Sequence, residues 1–200
     1  MLTRRHFLLG TTAATLLFAA GPRASAQGAN EATAFVTKLG NDLVTIIDGP
    51  GSYEDKKRRL LPVVEAAVDV DGIARFCLGR YQRTATPDQT GRFTALFHNV
   101  LMNNIFGKIG EYQGVTFKPT VTTQRDAEIL VGTIISRPNQ QPNAVQWVVN
   151  NVGGRLRIID VLAEGVSLRL TQRSDYAAYL QRNNSSVDAL ISAMQQQVAR

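Results

Sequence analysis

With 200 residues and 44% apolar content, the chain can bury one substantial core, and no segment after residue 26 is long and apolar enough to cross a bilayer. Its formal charge of +6 falls to +3 (19 basic against 16 acidic residues) once Arg4, Arg5 and Arg23 are set aside with the leader described below, and the remaining basic residues are scattered. That pattern excludes the basic stripe with interleaved aromatics of a nucleic-acid reader, and a single cysteine, Cys77, excludes an intrachain disulfide.

Residues 1–26 read as an export leader. Thr3-Arg4-Arg5-His6-Phe7-Leu8-Leu9 fits the twin-arginine pattern, the run from Ala13 to Ala20 is apolar, and Ala24-Ser25-Ala26 fits a cleavage site before Gln27. A leader of this type predicts a bacterial protein carried across the inner membrane into the periplasm, with one domain over 27–200.

Asn30 with Glu31 predicts a helix start, and Phe35, Leu39, Leu43, Ile46 and Ile47 recur at helical spacing to the stop at Asp48-Gly49-Pro50-Gly51. Ser52 is placed to cap a second helix with a solvated, charged first half. Pro62 is expected to end or kink it soon after Leu60. Asp71 reads as the cap of a short helix through Ile73, Phe76 and Leu78, closed by Gly79. Thr86-Pro87-Asp88 opens the longest helix, with a Phe-rich stripe from Phe93 to Ile109.

The β half begins at Val115, where Val115, Phe117, Pro119 and Val121 alternate with polar residues and Pro119 argues for an edge strand. The apolar run Ile129–Ile135 suits a central strand, and Val145, Trp147 and Val149 alternate in a third. Asn151–Gly154 reads as a turn into a fourth strand from Arg155. Glu164-Gly165 signals another turn, and Val166, Leu168 and Leu170 alternate with Ser167, Arg169 and Thr171, predicting a fifth strand to Thr171. A helix from Ser174-Asp175 and a last one over Val187–Met194 complete an α+β domain: an antiparallel meander of four to five strands covered on one face by helices.

Candidate chemistry is sparse. His98 stands mid-helix without a partner motif, and Cys77 lies between Phe76 and Leu78, as an inert buried thiol would. One His and one Cys offer no metal-ligand spacing. Asp160 is expected to be hydrogen-bonded or ion-paired at the sheet, and Glu164 to serve its turn. Arg80, Arg83 and Arg173 could take phosphate oxygens or remain solvated or ion-paired. The surplus of apolar groups on facing elements fits either an ordinary core or a slot for an apolar ligand, and export favours the slot. Catalysis is not expected.

Several pieces together resemble the MlaC, or toluene-tolerance, family. They are FVTKLGNDLVTII from Phe35, VDVDGIARFCLGRYQRTATPDQTGRF from Val68 to Phe93, LFHNVLMNN, EYQGVTFKP, Val145-Gln146-Trp147 and IDVLAEGVSLRLTQRSDYAAYL. The resemblance implies an α+β fold with an apolar cavity between helices and sheet, and a soluble, monomeric periplasmic phospholipid carrier. It implies exchange of lipid with an inner-membrane ABC transporter complex and an outer-membrane lipoprotein complex, in support of outer-membrane lipid asymmetry. A hopanoid-type ligand, or a non-lipid envelope interaction module, stands as the alternative. No cofactor is implied beyond the bound phospholipid. The implied lipid lining is Phe76, Leu78, Tyr81, Phe93, Phe97, Leu101, Val131, Trp147 and Val166. Gln82, after Leu78-Gly79-Arg80-Tyr81, departs from the aromatic common in the family at that place.

Overall fold

The computed structural model describes residues 23–199, with backbone only at 23–25. The leader expectation therefore lies outside the described residues as far as residue 22. Among the described residues are six α-helices and five strands, in the order α1 (Arg23–Asp48), α2 (Tyr53–Ala67), α3 (Val70–Leu78), a 3-10 turn (Gly79–Arg83), α4 (Pro87–Phe106), a second 3-10 turn (Ile109–Tyr112), β1 (Thr116–Arg125), β2 (Glu128–Ser136), β3 (Asn143–Val152), β4 (Arg155–Ala163), β5 (Val166–Ser167), α5 (Leu168–Arg182) and α6 (Val187–Val198).

Local chemistry explains most of the helix ends. Ser52 and Asp55 form a reciprocal capping box at α2, and Thr86 and Gln89 form another at α4, with Pro87 inside the first turn. Three expectations need correction. First, α1 starts at Arg23 rather than at Asn30; the alanines of 24–34 propagate helix well, so Asn30 falls inside it. Second, α2 runs through Pro62 to Ala67. Pro62 lies on the exposed side, where water can satisfy the carbonyl that loses its donor, and burial of Leu60, Val64 and Ala67 holds the helix on either side. Third, Asp69 rather than Asp71 caps α3: its Oδ1 accepts from the Gly72 N–H at 3.1 Å. Gly72 permits this, because a Cβ there would collide with the Asp69 carboxylate.

The sheet is an antiparallel meander in the order β1-β2-β3-β4-β5. β1 is an edge strand, interrupted by a register shift between Pro119 and Thr122. The β3–β4 turn places Gly153 and Gly154 at φ 60 and 82°, and the β4–β5 turn places Glu164 and Gly165 at 52 and 81°. Two-residue turns with both φ positive match the twist of paired strands. The outer edge of β4 also bonds the α2–α3 link, where the Asp69 N–H donates to the Ile158 carbonyl at 3.0 Å.

The fifth strand is far shorter than its alternation predicts. It stops at Ser167, and α5 begins at Leu168 instead of Ser174. The cause is a polar knot. Ser167 Oγ accepts from the Leu170 N–H at 3.1 Å and donates to Asp160 Oδ2 at 2.5 Å, and the Arg169 N–H donates to Asp160 Oδ1 at 3.0 Å. These bonds give the first turn of a helix its acceptors and end the ladder.

Three apolar clusters result; the smallest is Leu130, Val148 and Ile159, and the other two are large. In one, α1 packs on the sheet through Ala32, Val36, Leu39, Ile129, Val131, Val149 and Ile158. The other lies among the helices and is built on Leu60, Leu78, Phe93, Phe97, Phe106, Leu180 and Ile191. Leu43 and Val68 pack against both. Asp160 is 5% exposed and ties the sheet to α5, so Asp160→Ala, which leaves Arg169 facing only Glu128, should cost about 3 kcal/mol or more in urea-unfolding free energy. A loss below about 1 kcal/mol would show that the knot does not hold α5 to the sheet.

Candidate functional site

Strand register places the sheet-borne candidates. Val131 pairs with Trp147 and Trp147 with Val161; the next row is Thr133, Val145, Ala163 and Val166. Directly paired residues share a face, so Val131, Trp147 and Val166 project to one side of the sheet, the side on which α1 packs. Val131 is fully buried and Trp147 half-buried, while Val166 is 57% exposed at the rim. Trp147 is held by its indole N–H, which donates to Thr133 Oγ1 at 2.9 Å, and its ring lies 6.1 Å from that of Phe117.

The other six candidates belong to the helical cluster. Leu78, Tyr81, Phe93 and Phe97 are buried there, and Phe76 and Leu101 pack against it half-buried. Phe93 and Phe97 meet Tyr176 of α5 edge-on, with centroids 5.7 and 6.4 Å away, a geometry that joins α4 to α5. The nine candidates thus fall on two layers that touch through Leu43 and Val68. Two surface concavities among the described residues are lined by none of them. One of about 650 Å³ follows the polar side of α1 at Asn30, Thr33, Thr37 and Asn41. The other, of about 390 Å³, lies between α5 and α6 at Tyr179, Arg182, Met194 and Gln197.

Three of the polar candidates, His98, Asp160 and Arg80, are engaged within the fold. His98 Nε2 stands 3.2 Å from Glu65 Oε1, which ties α4 to α2. Glu164 is exposed in its turn, as expected of it, and Asp160 is hydrogen-bonded and ion-paired, also as expected. Asp160, Val148 and Leu130 form a row on the sheet face opposite Trp147. Arg80 donates to the Tyr81 hydroxyl at 3.0 Å, and Arg83 is exposed. Arg173 lies 4.9 Å from the Phe76 ring centroid and has no carboxylate partner among the described residues.

Sequence reading missed Arg169. Its guanidinium reaches Glu128 Oε1 at 3.0 Å and Asp160 Oδ2 at 3.4 Å and stacks at 4.6 Å on Phe76. The residue therefore joins β2, β4, α3 and α5. The available signal was a charged residue set between leucines, which the strand-like alternation disguised. Buried Lys56 was missed too; its ammonium donates to the Ile47 carbonyl at 2.6 Å and finishes the end of α1.

Cys77 is buried, and its thiol faces the Arg169 carbonyl at 3.5 Å. Burial, with the Asp160 charge adding to it, pushes the thiol up to about 12 against partial relief from Arg169 and Arg173. Burial likewise raises the Tyr176 hydroxyl. At about pH 8 a free cysteine is partly thiolate, but native Cys77 should not react with Ellman's reagent until the chain is unfolded. Because the folded thiol titrates above the unfolded one, this contribution to stability is intact below about pH 8.5 and is lost as pH rises toward 12. Rapid stoichiometric labelling of the native chain would contradict this placement of Cys77.

The family model described as MlaC protein matches residues 38–196. A toluene tolerance protein, Ttg2D of Pseudomonas putida, is 30% identical over 154 residues, covering 76% of this chain and 70% of that protein. Among solved structures, a phospholipid-binding protein from Ralstonia solanacearum in complex with a phospholipid superimposes with a TM-score of 0.75 at 18% identity, covering 84% of this chain and 99% of the other. That structural likeness bears on the fold, and it matches the α+β meander described above. On the extent of the family match and the identity to Ttg2D, this chain belongs to the MlaC family.

Proposed function

We propose that the chain is a non-catalytic periplasmic phospholipid carrier. It takes acyl chains between its two apolar layers and exchanges lipid with an inner-membrane ABC transporter complex and an outer-membrane lipoprotein complex, serving outer-membrane lipid asymmetry. The observation that carries this reading is the division of the interior into a sheet cluster and a helical cluster that meet through Leu43 and Val68. Membership of the MlaC family and the phospholipid held by the Ralstonia protein support it.

In this reading the acyl chains part the two clusters at their apolar contact. The row Val131–Trp147–Val161, with α1 packed over it, belongs to one wall, and the helical candidates from Phe76 to Leu101 belong to the other. At Leu43 and among the side chains of both walls the contact is apolar, so parting them there exchanges wall-to-wall contact for wall-to-lipid contact, while the backbone bond from Asp69 to Ile158 beside Val68 stays in place. Each buried methylene contributes roughly 0.8 kcal/mol relative to water, and the bilayer that donates the lipid offers a similar gain, which keeps loading reversible.

Native mass spectrometry and lipid extraction of the purified chain test this reading: phospholipid should leave it on denaturation. Val161→Trp fills the half-buried end of the row beside Trp147. It should abolish the co-purified lipid while the thermal midpoint stays within a few degrees of wild type, because the substitution changes only the side chain and keeps the Val161 N–H that donates to Asp160 Oδ1 at 2.8 Å. Wild-type lipid content in this variant would remove the row from the binding wall, and a lipid-free wild type would remove the carrier reading.

A further inference from the structure

The first turn of α5 is inside out. Among the described residues, six large hydrophobic side chains are exposed, and three of them, Val166 (57%), Leu168 (51%) and Leu170 (56%), fall within five positions. Arg169, between the two leucines, points inward to Asp160, Glu128 and Phe76. Residues two apart on a helix face different directions, so exposure of both leucines means that the turn itself stands out from the fold. A surface turn ordinarily shows its charge and hides its leucines. The knot at Asp160 enforces the reverse and holds a rigid apolar projection in water.

The patch is continuous with the wall assigned above. Val166 pairs with Ala163, and that row adjoins Val161 and Trp147 on the same face. One helical turn beyond Arg169, Arg173 lies half-buried on the Phe76 ring, and no carboxylate pairs with it among the described residues. An apolar surface followed by an unpaired cation has the polarity of a phospholipid, with tails first and phosphate behind. We infer that Val166, Leu168 and Leu170 form a portal over which the acyl chains of a phospholipid pass into and out of the interior. The inference rests on the carrier reading, and it assigns these side chains to transit rather than to the resting site.

A portal lowers the barrier between two states without favouring either, so its loss must slow loading and unloading by the same factor and leave occupancy unchanged. The experiment uses pyrene-labelled phosphatidylglycerol in phosphatidylcholine vesicles, with the wild-type chain and a Leu168→Ser/Leu170→Ser double variant. Val166→Ser serves as an independent second variant outside the helix. Both transfer rates should fall by roughly tenfold or more in the double variant, given the apolar contact that each leucine can supply to a passing chain, and co-purified lipid per chain should match wild type. Unchanged rates in both variants would overturn the portal, because the exposed trio would then serve something other than lipid passage, such as a protein partner. A fall in occupancy together with an altered rate ratio would also overturn it, since the trio would then belong to the resting site. If the wild type takes up no lipid, the carrier reading itself falls, and its own uptake curve distinguishes that case from failure of the portal alone.

Discussion

A carboxylate buried at the end of β4 governs the arrangement of the second half of this protein. Asp160 is almost wholly out of water, and a buried charge is tolerable only with close partners of the right kind. Ser167 and Arg169 supply them through a hydroxyl, a backbone N–H and a guanidinium. Meeting those requirements bends the chain out of the ladder after two residues of β5 and sets the starting direction of α5. Arg169 must then lie inward, where it also satisfies Glu128 and covers the Phe76 ring. Leu168 and Leu170, on either side of it, have nowhere to go but outward. One electrostatic demand therefore fixes the length of the sheet, the entry into α5 and the exposed apolar turn.

The same demand explains where sequence reading succeeded and where it did not. Signals that act within a few residues were legible: Ser52 and Thr86 as caps, Pro87 in the first turn, Gly79 at the end of α3, Gly153-Gly154 and Glu164-Gly165 as turns, and the strands at Ile129 and Trp147. Each depends on local backbone chemistry. The segment Val166–Thr171 was read as a strand because its alternation is genuine, but its conformation is decided by Asp160, reached across a hairpin. Pro62 misled for a related reason. A proline penalty inside a helix is local, whereas the burial of Leu60, Val64 and Ala67 that overrides it belongs to the whole core. Asp69 and Asp71 are equivalent as caps on paper; the bond from Asp69 to β4 decides between them.

The candidate site was legible as chemistry and only partly as geometry. The family resemblance implied nine lining residues, of which eight are buried or half-buried, but a resemblance carried by sequence does not say which buried residues face each other. Phe93 and Phe97 point to Tyr176 and knit helices together, whereas Val131 and Trp147 belong to the cluster beneath α1. The division into layers depends on contacts between elements far apart in sequence. Leu43 and Val68, the residues common to both clusters, lie inside pieces that resemble the family, but nothing in those pieces singles them out from their apolar neighbours.

Closure of the two layers bears on the kind of work the interior can do. A rigid open chamber would bind acyl chains with the full transfer gain of their methylenes, tens of kcal/mol gross for two long chains at roughly 0.8 kcal/mol each, and would release them only with difficulty. Walls that satisfy each other when empty recover part of that gain in advance, so loading draws only on the difference. The polar groups are arranged to suit this. His98 is held by Glu65, Asp160 by Ser167 and Arg169, and Cys77 by its burial; each joins one element to another, and the backbone at Val68 and Asp69 adds a further tie to β4 at Ile158, which leaves the side-chain contact at Leu43 and Val68 apolar. An interior divided in this way can open along its apolar contact while its polar ties keep the two layers in register, and reversible carriage of an apolar cargo requires both properties.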